Sequence, residues 1–283
     1  MRAPWPNLFL VGAPRCGTTS LFSYLAAHPD VFAPVEKEPH YYDRDLHLRD
    51  AMSEEEYAAL FAGSTSERWR LDASTLYLYS PGAPAAISQD APDARILIAI
   101  RDPVELVASW HRLVVASGGE PIADLGSAID AEAERREGRG VPPNVAAASL
   151  MYTEIGSFAR HVERWRAVFG DRVHVVRLED LRSRPDETCA QLLGSLELEP
   201  AGDDFPHLNP ARRTMDVALW MNRSSLVRSA ARRLVPRPVR RMAWDRVNRA
   251  LTPYGEREPV DAALRRRLEG LFEAELELLE RTT

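Results

Sequence analysis

The sequence predicts an α/β protein in which a central parallel sheet is flanked by helices on both faces. Three apolar runs suit buried strands, and each of them is followed by a segment with the apolar spacing of a helix. Strands that alternate with helices favour a parallel sheet. At 283 residues the chain is long enough to bury a substantial core as one large domain.

Each predicted element rests on a local pattern. Buried strands are continuous apolar runs, whereas helices repeat apolar residues three and four positions apart. Glu56, three residues after Ser53, is typical of a capping box at the start of a helix. The predicted elements are, in chain order, a strand at 8–11, helices at 18–27 and 51–62, a short strand and loop at 71–81, a strand at 95–103, a helix at 104–117, loops around a short acidic helix at 118–144, a long helix at 145–169, a strand and charged turn at 172–181, and a helix at 185–196.

The chain contains no internal repeat and no clear linker, so one domain is expected over 1–283. Its core is predicted at 7–200. Residues 203–216 are predicted to be irregular, and 217–283 to form an arginine-rich helical extension interrupted by prolines.

Composition excludes several functional classes. The net charge of −6 argues against a general binder of nucleic acid or membranes, which would show a basic balance. Two distant cysteines, Cys16 and Cys189, form neither a disulfide framework nor a zinc site, which favours a reducing compartment. The apolar stretch near the first residue is too short for a signal peptide or a membrane span, so we expect a cytoplasmic protein. Lys37 is the only lysine.

The segment "GAPRCGTTSL" has the glycine spacing of a phosphate-binding loop without its lysine. Gly12 and Gly17 are correctly spaced, but Thr18 occupies the lysine position and the cation has moved to Arg15. A helix that starts here directs free N–H groups toward an anion, and a guanidinium can bind phosphate or sulfate oxygens. The alternative is a plain strand-to-helix turn. A metal-dependent nucleotide hydrolase is disfavoured, because no predicted strand ends in a lone aspartate.

The segment "EKEPHYYD", residues 36–43, places Glu38 and His40 on one face of an extended chain. A carboxylate beside an imidazole could act as a general base with its orienting group. The alternative is a solvated charged turn. The segment follows the first strand–helix unit and can return to the carboxyl edge of the sheet, where open α/β folds bind ligands.

In "IRDPVELVASWH", residues 100–111, Arg101 stands at the end of a predicted strand and Ser109 lies about two helical turns later. Together they could bind a second phosphate. The alternative is an Arg101–Asp102 surface pair with a solvent-facing serine. In "LDASTLYLYSP", Tyr77 could line a pocket, although aromatic residues more often belong to a core. The histidines show no metal-ligand pattern.

With these three segments, the chain resembles the sulfotransferases that use 3′-phosphoadenosine-5′-phosphosulfate (PAPS). "GAPRCGTTSL" is similar to their 5′-phosphosulfate loop and "IRDPVELVASWH" to their 3′-phosphate motif. "EKEPHYYD" resembles the segment of heparan sulfate 3-O-sulfotransferases and their bacterial relatives in which the glutamate is the base. The resemblance covers nearly the whole chain. It implies a fold like that of P-loop nucleotide hydrolases and the transfer of a sulfuryl group to a hydroxyl without a metal.

The resemblance also implies roles for particular residues. The expected catalytic residues are Glu38, His40 and Arg15. The expected donor-binding residues are Arg15, Cys16, Gly17, Thr18, Thr19, Ser20, Arg101, Ser109 and, from a loop at 207–214 that closes over the donor, Arg213. The expected acceptor-binding residues are Lys37, Tyr41, Asp43, Tyr77 and His111.

The acceptor is expected to be a small molecule, a glycoside or a lipid, as in the sulfation of a bacterial natural product or glycolipid. The segment "DAST", residues 72–75, lacks the lysine that some carbohydrate sulfotransferases carry there, which argues against a highly anionic polysaccharide. Two other functions remain open from the sequence: a P-loop kinase and a non-catalytic nucleotide-binding module. A homodimer also remains open.

Overall fold

The computed structural model describes residues 5–46, 52–143, 145–200 and 259–282. A five-stranded sheet has the order β2-β3-β1-β4-β5, and every pair of neighbouring strands is parallel. The predicted central parallel sheet is therefore confirmed. The strands are β1 (Leu8–Gly12), β2 (Val31–Phe32), β3 (Trp69–Asp72), β4 (Arg95–Ile100) and β5 (Val173–Arg177).

The strand order explains where the loops of interest emerge. β1 lies between β3 and β4, with Leu8 opposite Leu71 on one side and Arg95 on the other. The chain leaves β1 for the edge strand β2, returns to β3 and then crosses to β4 on the far side of β1. The loops that follow β1, β3 and β4 consequently leave from adjacent positions at one edge of the sheet, the edge at which such sheets bind ligands.

The helices of the described ranges are α1 (Thr18–Ala26), α2 (Glu54–Ala59), α3 (Ala83–Asp90), α4 (Pro103–Ala116), α5 (Leu125–Asp130), α6 (Glu132–Arg136), α7 (Tyr152–Gly156), α8 (Ala159–Phe169), α9 (Leu178–Ser183), α10 (Pro185–Ser195), α11 (Ala262–Leu271) and α12 (Glu273–Arg281). The capping box predicted at Ser53 and Glu56 is confirmed, with both reciprocal hydrogen bonds present. The bounds of two strands differ from the prediction. Strand β2 was not predicted, because two residues are too few for a recognisable pattern, and β3 begins two residues before the predicted segment.

The single long helix predicted over 145–169 is wrong. A 3₁₀ turn at Ala147–Leu150, α7 and α8 occupy that range instead. Helix α8 begins at Ala159 because the backbone N–H of this residue donates to Oε1 of the buried Glu275, at 3.0 Å. The negative charge of a carboxylate stabilises the N-terminus of a helix. Since its donor and acceptor are far apart in sequence, a local pattern could not show this helix start.

Two further boundaries differ from prediction. Two short helices, α5 and α6, stand where one short acidic helix was expected, and the predicted strand and turn at 172–181 contain β5 followed by α9. Of the predicted C-terminal extension, the described part holds α11 and α12; the rest, like 203–216, lies outside the described residues. Within the described ranges, no helix combines the length and the apolar character needed to cross a membrane.

The described residues fall into two compact units. The first takes its residues from Met1–Leu106, Thr153–Asn209 and Arg267–Thr283, and it contains the sheet. The second takes its residues from Val107–Tyr152 and Pro210–Arg266.

A buried ion pair organises the second unit. The guanidinium of Arg135 binds both oxygens of Glu120, at 2.8 and 2.9 Å. The hydroxyl of Tyr152 donates to the same carboxylate at 2.7 Å. Because both charges are removed from water, the loss of either partner would be strongly destabilising.

Candidate active site

The turn after β1, residues 13–17 (the β1 loop), is built for close approach by an anion. Gly17 has φ 82° and immediately precedes α1, and as a glycine it supplies no side-chain cap to this helix. Arg15 also has a left-handed backbone, with φ 66°, and its side chain is exposed. The sequence-predicted combination of a free helix N-terminus and a neighbouring cation is therefore present in the fold.

Gly12 at the end of β1 allows another segment to pack directly against the β1 loop. A Cβ atom at this position would lie 2.6 Å from Cβ of Leu78 and 2.8 Å from the carbonyl oxygen of Thr75. The chain that follows β3 therefore abuts the end of β1, and only glycine leaves room for it. The same segment, residues 73–80, also supports the second loop of the site.

The segment of residues 36–43 (the Glu38 loop) contains two unusual backbone conformations. Glu38 has φ 60° and His40 has φ 56°, both in the left-handed region that disfavours residues with a side chain. Such conformations cost free energy and persist only where the surroundings enforce them, which is why they concentrate at functional sites. Because two such conformations occur at Glu38, the predicted base, and at His40 two residues later, this loop is the strongest candidate for catalysis.

His40 lies between two carboxylates. Its Nε2 is 3.5 Å from Oε2 of Glu38, and its Nδ1 forms a short hydrogen bond with Oδ2 of Asp43. His40 and Asp43 are almost fully buried. Asp43 was predicted to contact the acceptor, but its buried carboxylate fixes the orientation of the His40 ring instead. Glu38 is more accessible, with 36% of its side chain exposed.

The charges around Glu38 keep it ionised. Burial alone would raise the pKa of its carboxyl group, but hydrogen bonding with His40 and the positive charges of Lys37 and His40 lower that pKa to about 2. Glu38 is consequently a carboxylate at neutral pH. Its side chain is more exposed to solvent than those of Lys37, His40 and Asp43.

Asp72, at the end of β3, accepts three hydrogen bonds beneath the Glu38 loop. The donors are the hydroxyls of Tyr57 at 2.6 Å, Tyr77 at 3.0 Å and Ser74 at 2.8 Å. Complete burial still raises the pKa of Asp72 to about 6, because the hydrogen bonds only partly offset the loss of water. Asp72 is the first residue of the motif "DAST", but no role for its carboxylate followed from the sequence.

The Asp72 hydroxyl partners also hold the backbone of the Glu38 loop. Ser74 Oγ accepts from the N–H of His40 at 3.2 Å. Tyr77 Oη accepts from the N–H groups of Tyr41 at 2.8 Å and Tyr42 at 3.2 Å. Three successive backbone donors are thus tied to side chains that Asp72 orients, and this explains how the loop keeps its strained conformation.

Two predicted acceptor contacts, Tyr77 and Tyr41, take part in packing. Tyr77 is fully buried, and its hydroxyl is engaged by Asp72 and the Glu38 loop. The ring of Tyr41 stacks on that of Tyr57 with a centroid distance of 4.2 Å. Tyr77 therefore acts on the site through the loop, not by lining a pocket, and the stacked face of Tyr41 is already covered.

Lys37 joins the two loops of the site. Its Nζ lies 3.3 Å from Oε1 of Glu38 and 3.4 Å from Oγ1 of Thr19, in the first turn of α1. The candidate base and the candidate anion site are therefore both within reach of one ammonium group. Thr18 and Ser20 are buried in the same turn, whereas Thr19 is exposed.

Arg101 lies at the end of β4, close to the β1 loop. It is only 2% exposed; its Nη1 donates to the carbonyl oxygen of Arg15 at 3.4 Å, and its Nη2 is 3.6 Å from Oε2 of Glu105. Its Nε is buried and makes no hydrogen bond with the described residues. Cys16 is also fully buried, and this burial raises the pKa of its thiol far above the usual range.

The remaining predicted residues lie elsewhere. Ser109 is buried on α4 within the second unit, so its partnership with Arg101 stays a prediction. His111, expected at the acceptor, is buried in that unit, where its Nε2 is 2.9 Å from the carbonyl oxygen of Ile122. Burial lowers its pKa, which is typical of a structural histidine. Arg213 lies outside the described residues. Those residues also contain no cluster of three or more His, Cys, Asp or Glu side chains suited to a metal ion.

Comparison with known proteins identifies the class to which this fold and site belong. Residues 6–202 match the family described as "Sulfotransferase family", and the chain belongs to that family. A crystal structure of a sulfotransferase from Alicyclobacillus acidocaldarius superposes with a TM-score of 0.62 at 28% identity, covering 86% of this chain and 99% of that one.

Particular relatives lie in the carbohydrate branch. Rat carbohydrate sulfotransferase 15 is 25% identical over 251 residues, covering 70% of this chain and 45% of that protein. Mouse heparan sulfate glucosamine 3-O-sulfotransferase 3B1 is 28% identical over 160 residues, covering 56% of this chain and 37% of that protein. The chain thus spans less than half the length of these curated relatives.

Proposed function

We propose that the protein transfers a sulfuryl group from PAPS to a hydroxyl group of its acceptor. The observation that carries this proposal is that the ammonium nitrogen of Lys37 lies within 3.4 Å of both Glu38 and Thr19. A carboxylate able to accept a proton thereby stands next to a helix N-terminus able to hold an anion. Sulfuryl transfer to a hydroxyl needs these two functions side by side.

The donor would be held through its two anionic ends. The N–H groups at the start of α1, Arg15 and the hydroxyls of Thr18, Thr19 and Ser20 would bind the phosphosulfate. Arg101 and Ser109 would bind the 3′-phosphate. The buried Nε of Arg101, which has no partner among the described residues, fits a ligand that brings its own oxygen. Arg213, which the resemblance implies as a donor contact, lies outside the described residues.

Glu38 is the proposed general base. It would take the proton of the acceptor hydroxyl during in-line attack, while the buried His40–Asp43 pair fixes its position. Arg15 would balance charge on the oxygen that leaves sulfur. A sulfuryl group carries less negative charge than a phosphoryl group in transfer, so arginine and backbone N–H groups can do the work that magnesium does in kinases.

The proposed acceptor is a glycoside, lipid or small molecule with little negative charge. Relatives of this chain are named for carbohydrate and heparan sulfate glucosamine acceptors. The segment of residues 72–75, "DAST", contains no lysine that could hold the negative charges of an anionic polysaccharide. This absence supports an acceptor with little negative charge over a densely charged polymer.

The test is a transfer assay with radiolabelled PAPS and a panel of neutral and anionic hydroxyl acceptors. We expect label to pass to at least one neutral acceptor without added metal, and Glu38→Gln to lose this activity. Turnover of magnesium ATP with no use of PAPS would contradict the proposal and favour a kinase.

A further inference from the structure

Lys37 is expected from the resemblance to contact the acceptor, but that role does not explain its contacts with both Thr19 and Glu38. It is the only lysine in the chain. Its side chain is 19% exposed, and its ammonium nitrogen lies within 3.4 Å of both Thr19 and Glu38. We propose that Lys37 is a catalytic residue that binds the transferring sulfuryl group and thereby frees Glu38 to act as the base. This inference rests on the proposed function.

The first step is a competition for one cation. A sulfuryl group held at the start of α1 would place its oxygens beside Thr19, which Lys37 already contacts. An ammonium on a flexible stem has three donors and can turn between two anions that lie on either side of it. Donor binding therefore draws Lys37 from the carboxylate of Glu38 toward the sulfuryl oxygens.

The second step is a change in the strength of the base. Among the described residues, the charged groups near Glu38 are Lys37 and His40 in direct contact and Asp43 on the far nitrogen of His40. Burial raises the pKa of Asp72, and the charge of His40 offsets part of that rise. Once Lys37 has turned away, Glu38 loses one of the two positive charges that lower its pKa, and that of His40 remains. Its proton affinity then rises, so the base gains strength only when the donor is in place.

The third step is the transfer itself. The acceptor oxygen forms a bond to sulfur, and the bond from sulfur to the oxygen that bridges to the 5′-phosphate breaks. The bridging oxygen keeps the electron pair, and the acceptor proton passes to Glu38. Lys37 lies on the Glu38 side of α1, where its charge can act on the sulfuryl oxygens during this exchange.

The experiment compares Lys37→Met, Lys37→Arg and a control, Val35→Ala, which alters the most exposed side chain of the same turn. Calorimetric titration with PAPS and with 3′-phosphoadenosine-5′-phosphate (PAP) separates the two ends of the donor, since only PAPS carries the sulfuryl group. We expect Lys37→Met to bind PAP within about twofold of the wild type and PAPS about tenfold more weakly. Its transfer rate at saturating donor should fall about 100-fold.

Lys37→Arg, which keeps the positive charge, should recover most of that rate, and Val35→Ala should match the wild type. A wild-type transfer rate in Lys37→Met, or an equal loss of PAP and PAPS affinity, would overturn the assignment. Failure of the wild-type protein to bind either nucleotide would instead overturn the proposed function itself, which is a distinct result.

Discussion

The β1 loop and the Glu38 loop meet at Lys37, but they are built in different ways. The β1 loop lies between glycines that the sequence shows, at 12 and 17, and its backbone is bonded to β4 and Arg101, through Ala13 N–H to Ala99 and through the carbonyl oxygen of Arg15. The Glu38 loop takes its shape from Asp72, Ser74 and Tyr77, more than thirty residues away. Although residues 73–80 touch both loops, the hydrogen bonds that hold the two backbones come from different segments, so we infer that donor binding and proton removal can be damaged separately.

The largest effect is expected at the base. Glu38→Gln should lower the transfer rate at least about 100-fold, since loss of a general base costs on the order of 10²–10⁴. Its PAP affinity should stay at the wild-type value, because the β1 loop does not depend on this carboxylate. Steady-state transfer and PAP titration measure the two effects, with Glu36→Gln as the neighbouring control. Wild-type transfer by Glu38→Gln would move the base to His40 or another group.

The next effect concerns the support of the Glu38 loop and its pH dependence. Burial raises the pKa of Asp72 from 3.8 to about 6, so the folded protein binds this proton more tightly than the unfolded chain does. The stability contribution of this group is therefore fully present below about pH 4 and is lost as the pH rises through 6.

Urea unfolding at pH 4 and pH 7 can measure this effect. The free energy of unfolding of the wild type relative to Asp72→Asn should be greater at pH 4 than at pH 7 by about 2 to 3 kcal/mol. Asp171→Asn, which changes an exposed carboxylate, should show no comparable shift. A pH-independent difference for Asp72→Asn would contradict the raised pKa.

On the donor side, Arg101→Ala should weaken PAP binding by roughly 10- to 100-fold, the amount expected for a charge-assisted pair with phosphate. At saturating donor, its transfer rate should change much less. Arg95→Ala, at the opposite end of β4, is the matched control and should bind PAP normally. If Arg101→Ala lowered only the transfer rate at saturating donor, the arginine would act in the transfer step. Donor binding and proton removal could then not be damaged separately.

The smallest effect is expected for Tyr77→Phe, which removes one hydroxyl beneath the Glu38 loop. The transfer rate should fall about five- to tenfold, because the N–H groups of Tyr41 and Tyr42 lose their acceptor. Tyr79→Phe removes a buried hydroxyl of the same kind, bonded to the carbonyl of Ile155, and should leave the rate unchanged. Equal rates for the two variants would show that the hydroxyl of Tyr77 does not position the base.

The contrast between the loops also explains what the sequence could predict. The parallel sheet, the β1 loop and the candidate base follow from local apolar runs, glycine spacing and the pairing of Glu38 with His40. The role of Tyr77 did not follow, because the N–H groups of Tyr41 and Tyr42, from which it accepts hydrogen bonds, are distant in sequence. Asp43 is close to its partner His40 in sequence, but its burial depends on the fold. The same limit hid the start of α8, which depends on Glu275.

The most direct test of the account is a calorimetric titration of the wild-type protein with PAP, with AMP, NAD and magnesium ATP as controls. The account predicts micromolar binding of PAP and much weaker binding of AMP, which lacks the 3′-phosphate that Arg101 is proposed to hold. Equal affinity for PAP and AMP, or tighter binding of magnesium ATP, would contradict the assignment of two anion sites and of PAPS as the donor.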